Sequence, residues 1–169
     1  MQQQIMGLIN PLIALVFAGL FLAIWLRGGR QTHVLALSGA YLLLAVGFLI
    51  FHYAPNPAFR IPILGMHLCY IGGCALIVWG AARRVGQPVP LRAIAAVAVV
   101  GSALLVFSTY GSNQNPRLYL ANTSYALVFM FGVYALARAG RPAFVDRIVF
   151  WMFAATSIQF FVRPSVSII

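Results

Sequence analysis

The sequence predicts an all-α fold, a polytopic transmembrane helical bundle of six helices arranged in three antiparallel hairpins. Three observations predict it. The 169 residues are 63% hydrophobic and 7% charged, where a soluble domain carries about a quarter charged residues. The apolar residues come in long runs of the length that crosses a bilayer, about 20 residues at about 1.5 Å each. The positive charges gather in every second link between those runs.

Taken in order, the spans are expected at Ile5 to Leu26, His33 to Ala54, Ile61 to Ala82, Ala93 to Tyr110, Leu118 to Ala137 and Ile148 to Val162. The first opens on Met1-Gln2-Gln3-Gln4, which lacks the positive leader of a cleavable signal peptide, so it is expected to remain as a helix. The links are short and carry Gly, Pro, Asn and Arg, which favours antiparallel packing of consecutive helices. Glycines 65, 72, 73 and 80 on the third span allow close backbone approach, so that helix is expected to be central. The sixth span is the shortest, and the chain stops soon after Arg163, which predicts a single membrane domain over residues 1–169 cut from a longer protein.

Orientation follows from arginine, which is retained on the cytoplasmic side near helix ends. One set of links holds Arg27, Arg30, Arg83, Arg84, Arg92, Arg138, Arg141 and Arg147; the other holds only Arg60, Arg117 and Arg163. The first set is therefore expected inside and the N-terminus outside. Trp25, Trp79 and Trp151 then fall near the inner interface, and Tyr53, Tyr110 and Tyr119 near the outer one. A weak repeat agrees with three hairpins: Asn10-Pro11, Asn56-Pro57 and Asn115-Pro116 each precede a helix that runs inward to an arginine, and Pro suits a first helical turn.

The formal charge of +10 comes from arginines spread singly between apolar runs. That pattern points to topology and membrane lipid headgroups rather than to nucleic acid. Asp146 is the sole acid. Its place at the start of the sixth span predicts a helix-capping role, with pairing to an arginine as the second reading. Without an acid inside a span, a proton-coupled transporter lacks its usual relay. The chain also carries no G-x-S-x-G, H-E-x-x-H, Walker A or dinucleotide fingerprint, so no catalytic residue is assigned. Cys69 and Cys74, five apart, do not make a C-x-x-C pair and are expected to pack.

Candidate binding residues collect at the outer level. His52 ends the second span and His67 lies early in the third, so a hairpin brings both to similar depth. No cofactor is expected, but two facing imidazoles could ligate a haem iron or another metal. Tyr70, Asn122, Tyr125 and Gln159 lie at the same level, rimmed by Arg60, Arg117 and Arg163. Together they outline a shallow outer pocket for a small polar, anionic or lipid ligand. The alternative is that the polar groups hold helices together and the arginines meet headgroups.

The first span, Asn10-Pro11 then Leu12 to Trp25 and an arginine turn, is followed by His33 and by Ala40-Tyr41-Leu42-Leu43-Leu44-Ala45-Val46-Gly47-Phe48. With Phe160-Phe161-Val162-Arg163-Pro164 near the end, this resembles the multi-helix N-terminal membrane modules of bacterial diguanylate cyclases, the GGDEF-domain signalling enzymes. The resemblance spans most of the chain and rests on structural residues, so it transfers no site. It implies a multi-pass inner-membrane protein with a periplasmic N-terminus, acting as the sensory or anchoring half of a signalling protein that dimerises, without the catalytic domain. A small transporter or channel subunit and a haem- or metal-binding membrane protein are the rival classes.

Overall fold

The structure is a computed structural model and describes residues 2–53, 60–108, 115–140 and 143–166. Among the described residues the chain forms six helices and no strand: α1 Gln2–Arg27, α2 Thr32–Tyr53, α3 Arg60–Arg84, α4 Leu91–Ser108, α5 Asn115–Ala137 and α6 Phe144–Val166. All six are long and apolar enough to cross a membrane. The packing falls into two compact units, Met1–Gly80 and Ala81–Ile169.

In the first unit, α1 and α2 form an antiparallel hairpin. The turn between them is tight because Gly29 and Arg30 both take left-handed backbone conformations, φ 79° and 57°. This lets the Arg30 N–H reach back to the Trp25 carbonyl at 3.3 Å, while the Arg30 guanidinium sits 5.9 Å from the Trp25 ring. The two helices approach through small residues: Ala14, Ala18, Ala36 and Ala40 are buried, and Ser38 donates its hydroxyl to the Ala18 carbonyl at 2.8 Å. Leu12, Val16, Leu20 and Ile24 of α1 are exposed instead. Small residues inside and large aliphatic ones outside is the pattern expected when the solvent is hydrocarbon, because lipid removes the penalty for exposing leucine and leaves close packing to hold helices together.

Helix α3 lies against α2 along its glycines. A side chain at Gly73 would meet the Ala40 carbonyl oxygen at 3.1 Å and Leu44 at 3.0 Å, and one at Gly80 would meet the His33 carbonyl oxygen at 3.1 Å. On the facing helix, Gly47 makes room for Tyr70, whose ring would stand 2.9 Å from an added Cβ.

In the second unit, α5 packs on both α4 and α6. Its core is aromatic. Phe129 stands 5.3 Å from Phe153 and stacks on Phe160 at 6.1 Å, and Tyr125 meets Phe160 edge-on at 5.5 Å. Ser157 donates across the helix pair to the Ala126 carbonyl at 3.0 Å.

Two expectations need correction. Asn10-Pro11 does not mark a helix start: Pro11 lies inside α1, as the span expected from Ile5 already placed it, and is fully buried. A proline removes only its own N–H from the ladder, and within a membrane helix neighbouring groups tolerate that loss. Pro116 does sit in the first turn of α5, as the dipeptide pattern required, whereas Asn56-Pro57 lies outside the described residues. The sixth helix is also not short. It begins at Phe144 and continues through Pro164, because Asp146 lies inside its first turn rather than before it. The other boundaries differ from the expected ones by at most three residues.

Candidate functional site

The residues expected at the arginine-poor end divide between the two units. In the first unit, the glycine contacts set an antiparallel register in which Gly65 faces Ile50, Gly47 faces Tyr70 and Gly73 faces Leu44. His52 is then level with Leu64, three residues from His67, which is about 4.5 Å along the axis. The surroundings of the two imidazoles differ. His52 is exposed in the last turn of α2 with its ring edge-on to Phe51 at 5.2 Å, whereas His67 is completely buried on α3. Tyr70 is half-buried and meets Phe48 edge-on at 5.3 Å. The side chain of Arg60, at the start of α3, lies outside the described residues.

In the second unit, the Ser157 to Ala126 bond and the Tyr125–Phe160 contact place Gln159 level with Tyr125, and Arg163 level with Asn122. Their directions differ as well: Asn122 and Tyr125 are buried, Gln159 and Arg163 exposed. Asn122 donates its amide N–H to the Leu118 carbonyl at 2.7 Å, one turn back on its own helix, and Ser124 does the same to Leu120 at 2.8 Å. Arg117 reaches from α5 to the Ser108 carbonyl at the end of α4, 3.4 Å from its Nε. This ties the two helix ends together.

The arginine-rich end holds the charged cluster. Asp146, third residue of α6, accepts the N–H of Ala143 at 3.1 Å through Oδ2 and faces the Arg84 Nε at 3.4 Å through Oδ1. Both proposed roles are present at once: the carboxylate reaches back to a helix-start donor, one half of a capping box, and it neutralises a guanidinium. Arg138 lies over the Tyr134 ring at 4.5 Å. Beside this cluster a recess of about 250 Å³ opens between the end of α5 and the start of α6, lined by Leu136, Ala137, Asp146, Arg147, Phe150 and Trp151 among others.

No family model, curated protein or solved structure matches this chain. Among the described residues no three of His, Cys, Asp and Glu come together as a metal-binding group. Sequence reasoning missed Ser38 and Ser157, whose hydroxyls bridge helices; a lone serine inside an apolar run was the available signal. It also missed the recess, which depends on how far α6 extends past Asp146.

Replacing Asp146 with alanine removes the capping acceptor and the partner of Arg84. Because Arg84 is 43% exposed, solvent screening leaves little for the ion pair. The total expected loss is about 1 kcal/mol, read as a lower midpoint of unfolding in detergent, and an unchanged midpoint would show the contacts to be incidental.

Proposed function

We propose that this chain is the membrane-embedded sensory and anchoring input module of a bacterial signalling protein of the diguanylate cyclase type. In this reading it lies in the inner membrane with its N-terminus on the periplasmic side. The observation that carries the reading is where the polar groups of the spans go. Ser38 and Ser157 bridge to a neighbouring helix, and Asn122 and Ser124 return to their own helix. The two serine bridges fix helix packing, which is what a module must hold in order to switch between packings, and the other two groups are satisfied within α5, whereas a transporter needs such groups along a path for its substrate.

The residues behind the family resemblance support the same view, since they are contact residues. Tyr41 stacks on Phe17 at 5.2 Å and on Phe21 at 5.7 Å, Ala40 and Ala45 are completely buried, and Gly47 receives Tyr70. A signal bound near His52, Tyr70, Gln159 or Arg163 acts only if it favours one packing over another. No catalytic role is assigned to this chain, and the enzymatic half belongs to the parent protein.

Sequencing the gene beyond the codon for Ile169 tests the proposal. The expected result is a further apolar span that returns the chain to the cytoplasm, followed by a soluble GGDEF domain. A frame that ends at Ile169, or that continues into a domain unrelated to signalling, would overturn it.

A further inference from the structure

We infer that the chain pairs with a second copy of itself through the exposed face of α6, the Gln159 amides of the two copies hydrogen-bonding to each other. One polar group prompts this. Among the described residues that lie five or more positions inside a span, every side chain with a hydroxyl, an amide, an imidazole or a charge is buried or half-buried except Gln159. Gln159 is exposed, and its amide makes no hydrogen bond among the described residues. It stands five residues from the Pro164 end of its span, about 7.5 Å along the axis. Side chains on a helix lean toward its N-terminus, which for Gln159 is toward the middle of the span, so the amide leans away from the nearer interface. Hydrocarbon offers it neither donor nor acceptor, and an amide left unmet there is costly.

The residues around Gln159 give that face the form of a helix-pairing stripe. Ile148, Met152, Ala155, Gln159 and Val162 are all exposed and follow one another at spacings of four, three, four and three residues. Their average of 3.5 is the repeat of left-handed pairing, in which side chains of one helix fill the gaps of another. The stripe lies on the far side of α6 from Phe153, Ser157 and Phe160, which face α5, so pairing there leaves the α5 contact intact. Ala155, one turn from Gln159, lets two backbones approach closely. The chemistry of Gln159 selects the occupant. A primary amide both donates and accepts, so two identical amides related by a twofold axis satisfy each other. Every copy inserts the same way round, so the pair is parallel and the two amides are level by symmetry. An acyl chain cannot answer an amide, and a different helix would need its own polar group at this depth. Arg163 lies at the end of the span, where its long side chain reaches headgroup level, so it does not set the copies against each other. The pairing rests on the membrane placement of α6 and not on the signalling reading.

Energy transfer between copies tests the inference. The full chain, with Cys69 and Cys74 replaced by alanine and Gln87 by cysteine, is labelled in two portions with a donor and an acceptor dye. Both portions, shown by circular dichroism to keep their helix content, are reconstituted together in phosphatidylcholine vesicles. Transfer above the level of randomly placed chains is expected, falling as lipid dilutes the protein. Gln159→Leu should weaken association about fivefold, the size of a pair of interhelical amide bonds in a membrane, and Gln159→Asn should retain most of it. Ala155→Phe, which holds the backbones apart, should abolish it, whereas Val99→Phe, at an exposed position of α4, should leave it unchanged. Single cysteines identify the face: with Gln87 restored, Ala155→Cys should cross-link on oxidation in the bilayer, and Ile158→Cys, exposed but off the stripe, should not. Transfer at the random level throughout would show a monomer, its stripe left to lipid or to another helix, and would overturn the inference. Association that survives both Gln159→Leu and Ala155→Phe, or cross-linking as strong at residue 158 as at residue 155, would place the pairing elsewhere and overturn it as well. None of these outcomes depends on the output domain, so failure here is distinguishable from failure of the signalling proposal.

Discussion

Gly73→Leu is expected to destabilise the first unit by about 3 kcal/mol, the upper part of the range for overpacked contacts. An added Cβ alone would stand 3.0 Å from Leu44 and 3.1 Å from the Ala40 carbonyl oxygen. The leucine side chain can rotate away, but the carbonyl belongs to the backbone of α2 and can move only if the helix moves. Gly73→Ala should therefore cost less than Gly73→Leu, and Gly80→Leu should resemble Gly73→Leu because it meets the His33 carbonyl at 3.1 Å. Gly19, exposed and with nothing within 4 Å of an added Cβ, is the control, and Gly19→Leu should be neutral. The midpoint of denaturation by sodium dodecyl sulfate in mixed micelles reads the series. Equal midpoints for the leucine variants of Gly73 and Gly19 would show that α2 and α3 do not pack as described.

Phe129→Ala is expected to cost the second unit about 2 kcal/mol, less than the 3–5 kcal/mol typical of a phenylalanine deleted from a water-soluble core. The difference has a physical origin. In water the loss has two parts, the transfer of the ring out of solvent and the cavity left behind. In a bilayer the separated helices are already in hydrocarbon, so the transfer part nearly vanishes and the cavity and lost ring contacts remain. Phe129 touches both Phe153 and Phe160 and is almost fully buried, so it should show the largest effect of any single aromatic in the unit. Phe107→Ala, at a ring 76% exposed, should change little. Denaturation of both variants in the same micelles checks the order. A Phe129 loss no larger than that of Phe107 would mean the aromatic cluster does not hold α5 and α6 together.

The helices were legible because run length and hydrocarbon thickness are nearly the same measurement. Six spans and their arginine-rich ends could be read from the sequence to within a few residues, since neither depends on tertiary contacts. Where the reading failed, the pattern was ambiguous in itself. Asn10-Pro11 has the form of a helix start, but nothing in those two residues reports that the apolar, helix-forming stretch before them continues the same helix. The start of α6 was placed after Asp146 because a lone acid looks like a boundary, while its carboxylate reaches back from the third helical position to Ala143.

The candidate site was less legible than the fold. Register could be estimated from loop length, so the similar depth of His52 and His67, and of Asn122, Tyr125 and Gln159, was accessible. Direction was not. A helix hydrophobic on every side has no periodic signal to say which face is inward, and only the contacts show that His67 and Asn122 point into packing while His52 and Gln159 point out. Burial of Ser157 against Ala126 is invisible for the same reason.

The arginine-rich ends are expected to face the cytoplasm, and labelling the turn after α3 tests that most directly. With Cys69 and Cys74 replaced by alanine and Gln87 by cysteine, intact cells are treated with a membrane-impermeant maleimide before and after permeabilisation. Residue 87 is predicted to react only once the membrane is opened. Labelling in intact cells, at a level equal to that after permeabilisation, would place this turn outside and contradict the orientation.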